Sequence, residues 1–436
     1  MSSSSRGIDR VRVTFDEPNL VANAGLLLVA TVAKRLGLEA LVNAVVRFPS
    51  KRGGFQPGRK VLTLVHAMVA GASHIDHADI LRAGATEKVL EHQVMAPSTL
   101  GTFLRGFTFG NLRQLDAVIA EALRRAWAAL TLPTQMVIDL DSTICEVAGN
   151  KKVGAAYGYT KVLGLHPLLA TRSDTGEVLH ARMRKGSANT QRGAKRFVEE
   201  LVARVRRAGA TGQLVVRMDS GFWSKQTITV MGRLGVSFTM AVRANTKAVF
   251  RAISGIDEDA WVSIEYPEDG EAQVAETTYG DLRLVVRRTR LVGRQATLWP
   301  SWRHLAFLTD LAGNAIDLDA FHRQHAVTEL DIRDLKEGSG LEHCPSGNFW
   351  ANGAWLACAV LAHNLVRWTQ LLGEIDVEDD HRPAAARTMR TRFVSIPGRL
   401  VNRSGTPTLR APARWPWRVQ FAHALSTLRA LQVAVT

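Results

Sequence analysis

Three acidic residues in this chain stand in settings that suit chemistry. Asp141 closes the apolar run 136–141 and precedes Ser142-Thr143, while Asp219 closes 214–219 and precedes Ser220-Gly221-Phe222-Trp223. Glu329 lies within 321–336, a stretch that reads as a helix. Two strand-end aspartates and a helical glutamate supply hard oxygen ligands for a pair of divalent cations held against a phosphodiester. Taken singly, each aspartate is explained as well by turn chemistry. The combination favours a metal-dependent site.

Strand geometry sharpens the choice among the carboxylates. Side chains alternate along a strand, so Asp139 and Asp141 share one face. Asp141 is nearer the carboxyl end, where open α/β sheets bind ligands, and is taken as the site residue with Asp139 as the alternative. On a regular helix His322, His325, Glu329 and Lys336 fall at offsets that share one face, placing a metal-binding carboxylate beside groups for phosphate. A His/His/Glu zinc site is disfavoured, since the stripe lacks the HExxH spacing and has no cysteine nearby.

Elements that would position these residues are legible along the chain. The first third is helical in pattern, with an amphipathic segment over 111–128 whose apolar residues Leu112, Leu115, Ile119, Leu123 and Trp127 recur at three- and four-residue steps. Ser98 or Thr99 is the expected N-cap of a short helix after Pro97. Beyond Pro133 strands alternate with helices: strands over 135–141, 178–184, 214–219 and 236–243, helices over 190–207 and 225–234. Short alternating strands over 248–303 predict an inserted β-rich lobe, and helical texture returns from 319 to 371.

Composition supports a soluble protein with a polyanionic partner. Lys and Arg number 55 against 40 Asp and Glu, a formal net charge of +15. Such an excess speaks to partners rather than fold. Cys145, Cys344 and Cys358 are isolated, without metal-knuckle spacing, and fit a reducing compartment. No apolar signal region opens the chain, and the most apolar stretches, 24–33 and 354–362, are shorter than the roughly 20 residues that span a bilayer. A cytoplasmic protein without membrane association is expected.

Several blocks carry a resemblance. Asp-Leu-Asp-Ser-Thr (139–143), Gly-Ala-Ala-Tyr-Gly-Tyr (154–159), His-Pro-Leu-Leu (166–169), Arg-Met-Asp-Ser-Gly-Phe-Trp (217–223), Glu329 through Lys336, and Ala-His-Asn-Leu-Val-Arg-Trp (362–368) resemble the DDE transposases of bacterial insertion sequences, in particular the 1380 family and the related family 4 group. Pro-Ser-Thr-Leu-Gly-Thr-Phe (97–103) adds to the 1380 likeness. The resemblance implies an α/β RNase H-like catalytic core with an inserted β-rich lobe, preceded by a helical N-terminal DNA-binding region. Its implied division is 1–132 helical and DNA-binding, 133–247 first part of the core, 248–305 β-strand insertion, 306–373 second part with the catalytic helix, and 374–436 a basic C-terminal region.

The same resemblance implies a triad of Asp141, Asp219 and Glu329 binding two Mg²⁺ ions, with Mn²⁺ as a substitute. Held roughly 3.5–4 Å apart, two ions activate the attacking hydroxyl and stabilise the leaving oxygen. The implied reaction cuts the element's terminal inverted repeats and joins the freed 3′-hydroxyl ends to target DNA. A homodimer or higher oligomer on DNA, associated with a bacterial nucleoid, is implied with it. Lys336 is the expected phosphate contact, joined by His325, His322 and Arg323, and Trp299 and Trp302 are expected to stack on bases. Arg182, Arg184, Lys185, Arg192, Lys195 and Arg196 are further candidates for tracking phosphates. The chain departs from the family's Tyr-2-Arg-3-Glu-6-Lys pattern by carrying His322 and His325 at its first two positions. An impaired DNA-binding copy, and a metal-dependent nuclease without strand transfer, stand as alternatives.

Overall fold

The computed structural model describes residues 11–48, 55–149, 151–158, 161–266, 270–291, 302–375 and 382–432. Among them, nine strands form one mixed sheet: β1 (Gln135–Ser142), β2 (Leu168–Arg172), β3 (Val178–Arg182), β4 (Gln213–Met218), β5 (Ser237–Val242), β6 (Val262–Ile264), β7 (Gly270–Tyr279), β8 (Leu282–Leu291) and β9 (Arg303–Thr309). Their order is β6-β7-β8-β9-β5-β4-β1-β2-β3. β4 lies parallel to both β1 and β5, whereas β2, β3 and β6 through β9 pair antiparallel. The strands of the expected β-rich insertion continue the central sheet, with β9 pairing directly onto β5.

Among the helices are α1 (Phe109–Trp127), α2 (Ala194–Arg207), α3 (Lys225–Leu234), α4 (Ala315–Arg323), α5 (Val327–Arg333) and α6 (Phe349–Leu372). α1 begins with a capping box in which Thr108 and Asn111 satisfy each other's backbone N–H groups. The helix at 97–105 differs from expectation. Pro97 occupies its first turn, so the N-cap position falls on Ala96, whose methyl side chain has no acceptor to offer.

α6 is 24 residues long and apolar enough by length and composition to cross a bilayer, yet 83% of its most apolar window is buried inside the protein. It is the central core helix, packed on α1, on β3 and on the helix Pro57–Val69. Glu177, fully buried, stitches these layers together. It accepts the indole N–H of Trp127 from α1 at 2.9 Å and of Trp368 from α6 at 2.7 Å, and its second oxygen accepts from Thr175 and Arg172. A buried carboxylate is tolerated when its lone pairs are filled in this way. One hydrophobic core accordingly runs from Leu26 in the helical first third to Leu428 near the C-terminus. Asn364 contributes as a core amide, bridging α6 to both backbone groups of Val178.

Candidate active site

Sheet register brings the two aspartates together. Asp139 pairs with Arg217 and Leu140 with Met218 in the parallel β1–β4 ladder. Asp141 and Asp219 each stand one residue beyond that last pair, at the same end of adjacent strands that run about 4.8 Å apart. Asp219 leaves the sheet by capping a short 3₁₀ turn, its Oδ1 accepting the Gly221 N–H at 3.0 Å.

The segment carrying Glu329 is held over this strand end by polar ties. Arg217, fully buried, donates to both oxygens of Asp139 at 2.7 and 2.8 Å, to Ser173 Oγ at 2.6 Å and to the Phe321 carbonyl at 2.8 Å. Thr328 meets Thr171 of β2 at 3.1 Å. One strand arginine therefore docks the helical segment, and Glu329 follows Thr328 onto the exposed side. Although quoted within a motif, Arg217 has no role legible in sequence, since an arginine inside an apolar strand signals only that some partner must exist.

The helical path changes pitch twice. Gln324–Ala326 is 3₁₀ and Asp334–Gly338 is π, so the four residues expected on one face separate. Where the 3₁₀ turn eclipses positions three apart, the His322 and His325 rings stack at 6.3 Å. His322 turns inward, stacked on Phe307 with Nδ1 2.7 Å from Thr239 Oγ1. Burial, with His325 and Arg217 nearby, pushes its pKa down to about 3. Its ring thus faces Phe307 and Thr239 in place of the groove that Lys336 lines. His325 places Nδ1 2.8 Å from Asp139 Oδ1 and thus serves the interior as well.

With Arg217 and His325 on its oxygens, Asp139 is 1% exposed and faces the interior. Burial would raise its pKa, but those hydrogen bonds outweigh it and hold the carboxyl below its ordinary value. Asp141 behaves in the opposite way. Burial and the neighbouring carboxylates of Asp219 and Glu329 push it up to about 6, against the N–H of Ser142 and the charge of His325. Asp219 is raised too, chiefly by burial.

Asp141, Ser142, Glu329, Arg333 and Lys336 line one groove. Lys336 reaches it while donating to the Ile144 carbonyl at 3.1 Å. Asp219 borders the other side, where Ser220, Arg243, Arg287, Arg323 and His325 line a second hollow. Arg323 itself pairs with Asp319 at 2.9 Å. Among the described residues, no three His, Cys, Asp or Glu side chains stand close enough to enclose a single ion. Yet the carboxylates of Asp141, Asp219 and Glu329 offer hard oxygen donors, and burial with its two neighbours leaves Asp141 in want of a cation, which suits hard divalent ions better than any soft metal.

A further feature escaped sequence reasoning. His166, buried, has Nδ1 2.7 Å from the Ala188 carbonyl and Nε2 2.9 Å from Ser142 Oγ, beside Asp141. Arg184 also turns inward rather than toward phosphate, its guanidinium donating to the carbonyls of His166, Asn189, Thr190 and Arg192. Together they strap the loop after β3 across both aspartate-bearing strand ends. Arg182 and Arg196 are paired with Glu200. Trp302 has the guanidiniums of Arg288 and Arg290 over its ring at 4.5 and 4.4 Å, while Trp299 lies outside the described residues.

Residues 4–433 match the family described as transposase DDE domain, group 1. The chain belongs to that DDE transposase family. No curated protein matches the chain. Among solved structures, a piggyBac transposase synaptic complex with hairpin DNA is similar at 14% identity and a TM-score of 0.42, covering 85% of this chain and 80% of that one. The Aa-Ago structure with externally bound siRNA is similar at 9% identity and a TM-score of 0.21, over 61% and 33%. Likenesses this slight carry no weight for the activity of this transposase-family chain.

Proposed function

We propose that this DDE transposase-family chain cleaves the ends of its own insertion sequence and transfers the 3′-hydroxyl ends into target DNA, as the 1380-type resemblance implies. The observation that carries the reading is the register of β1 and β4, which sets Asp141 beside Asp219, with Glu329 docked over the same strand end. The mixed sheet supports an RNase H-like core. Asp141, Asp219 and Glu329 would hold Mg²⁺ or Mn²⁺, which when bound activates the attacking hydroxyl and stabilises the leaving oxygen. Lys336 holds an ammonium at the rim of the Asp141–Glu329 groove, suited to a DNA phosphate. Work on a terminal repeat and a target together calls for a dimer or larger assembly on DNA.

A plasmid carrying the gene's native flanks, incubated with protein and Mg²⁺ or Mn²⁺, tests this. Cuts at two related flanking sequences, lost in Asp141→Ala, Asp219→Ala and Glu329→Ala, are expected. Scattered cutting without joining would replace the reading with that of a nuclease. Specific binding without cutting would leave an inactive copy.

A further inference from the structure

Most of this chain's charge excess sits in one segment. Residues 382–432 hold ten arginines and no lysine, aspartate or glutamate, so they contribute +10 of the chain's +15. Some of that charge is spent internally: Arg382 pairs with Asp331 at 2.6 Å, and Arg390 donates to the carbonyls of Val69, Met68 and Gly338. Five more of these arginines lie on or just after a hairpin whose base pairs with Leu20–Val21 to make a small three-stranded sheet.

Strands Gly398–Arg403 and Thr406–Arg410 pair antiparallel through a tight turn at Ser404 and Gly405, both with positive φ. Two consecutive residues of this kind make the turn that matches strand twist and gives a stiff hairpin. Alternation divides its faces. Leu400 and Leu409 pack inward against the small cluster of Val21, Ala24 and Ile396. Arg399, Arg403 and Arg410 take the opposite face, with Thr406 and Thr408 between them, and all five are exposed. Arg399 stands directly across from Arg410. Like charges so placed destabilise a hairpin. Glu17, 2.8 Å from Arg399, offsets one of them. Exposed Arg414 and Arg418 follow in the chain.

We propose that this ribbon is a second duplex-DNA contact surface, separate from the catalytic groove, that grips phosphates without reading sequence. It rests on the functional reading above. Beyond the base at Gly398 and Arg399, where Leu20–Val21 pairs, the hairpin is two-stranded, a width that fits the major groove of B-DNA, and arginine with threonine hydroxyls supplies phosphate donors along both strands. None of these residues lines the groove of Asp141 and Glu329. A phosphate at the Arg399–Arg410 pair would relieve the mutual repulsion that the fold otherwise tolerates.

Binding of a fluorescent duplex carrying the native flank, and of a scrambled duplex, is measured across salt concentrations without divalent cations. Each lost phosphate contact lowers the slope of log affinity against log salt by about 0.9. For the triple variant R403Q/R410Q/R414Q we expect the slope to fall by about 2 to 3 on both duplexes, and the charge-preserving R403K/R410K/R414K to restore most of it. Unchanged circular dichroism and melting in the glutamine variant show that the fold survives. An unchanged slope overturns the ribbon while leaving the transposase reading intact, as does a loss that the lysine variant fails to restore. Failure of the wild-type protein to bind either duplex overturns both.

Discussion

His325 and Asp139, 186 residues apart in the chain, meet at 2.8 Å, with Asp139 two residues before Asp141 on the same strand. Asp139 lies in the middle of β1, and His325 lies in the 3₁₀ turn that leads to Glu329. The contact, reinforced by Arg217, makes Asp139 a fastener between sheet and helix. His325 thereby completes an interior network.

Removing one partner of a buried ion pair leaves the other charge uncompensated. Arg217→Met is therefore expected to destabilise the protein by about 3–5 kcal/mol in denaturant unfolding. Asp139→Asn should cost less, because an amide still accepts from Arg217. If Arg217→Met unfolds at the wild-type midpoint, the fastener has no energetic weight.

Asp141 weakens the fold when it is ionised. Its folded pKa of about 6 lies above the ordinary carboxyl value, so protonation favours the folded state. That contribution is fully present below about pH 4 and is lost as pH rises to about 6. In metal-free protein at pH 8, Asp141→Asn should therefore be more stable than wild type by roughly 1–3 kcal/mol, with the gap closing toward pH 4. Adding Mg²⁺ should raise the wild-type melting temperature more than that of the variant. Equal stability at pH 8 would mean that the three carboxylates do not oppose one another.

Lys336 should act on phosphate by charge. Lys336→Ala is expected to weaken binding of flank and scrambled duplexes alike and to lower the salt slope by about one. A loss confined to the native flank would assign it to sequence reading instead.

The loop strap over the strand ends depends on Arg184. Leucine at that position removes donors to four backbone carbonyls, and hydrogen exchange over 186–193 should accelerate at least tenfold while the β1 and β4 amides stay protected. Exchange rising equally everywhere would make Arg184 a global stability residue rather than a strap.

Much of this site was legible before any fold. An apolar run ending in aspartate marks a buried strand with a polar exit, which is why β1 and β4 fell close to their expected bounds. The helices at 109–127 and 225–234 followed from their periodicity. Charge excess, too, pointed to a polyanion without help from structure.

Other features depended on contacts between distant segments, which local pattern does not encode. Asp139 and Asp141 are equivalent by strand parity, and only the opposing Arg217 and His325 assign one to the interior and the other to the groove. His322, His325, Glu329 and Lys336 share a face on a uniform helix, but packing imposes 3₁₀ and π turns that scatter them. Arg184 and His166 carry no local sign of turning inward, because the carbonyls they serve belong to a loop folded back over them. Sequence alone determined which residue types were present and which strands ended in acid. Tertiary register decided which acids confront each other, since side chains far apart in sequence share an environment only once the sheet has formed.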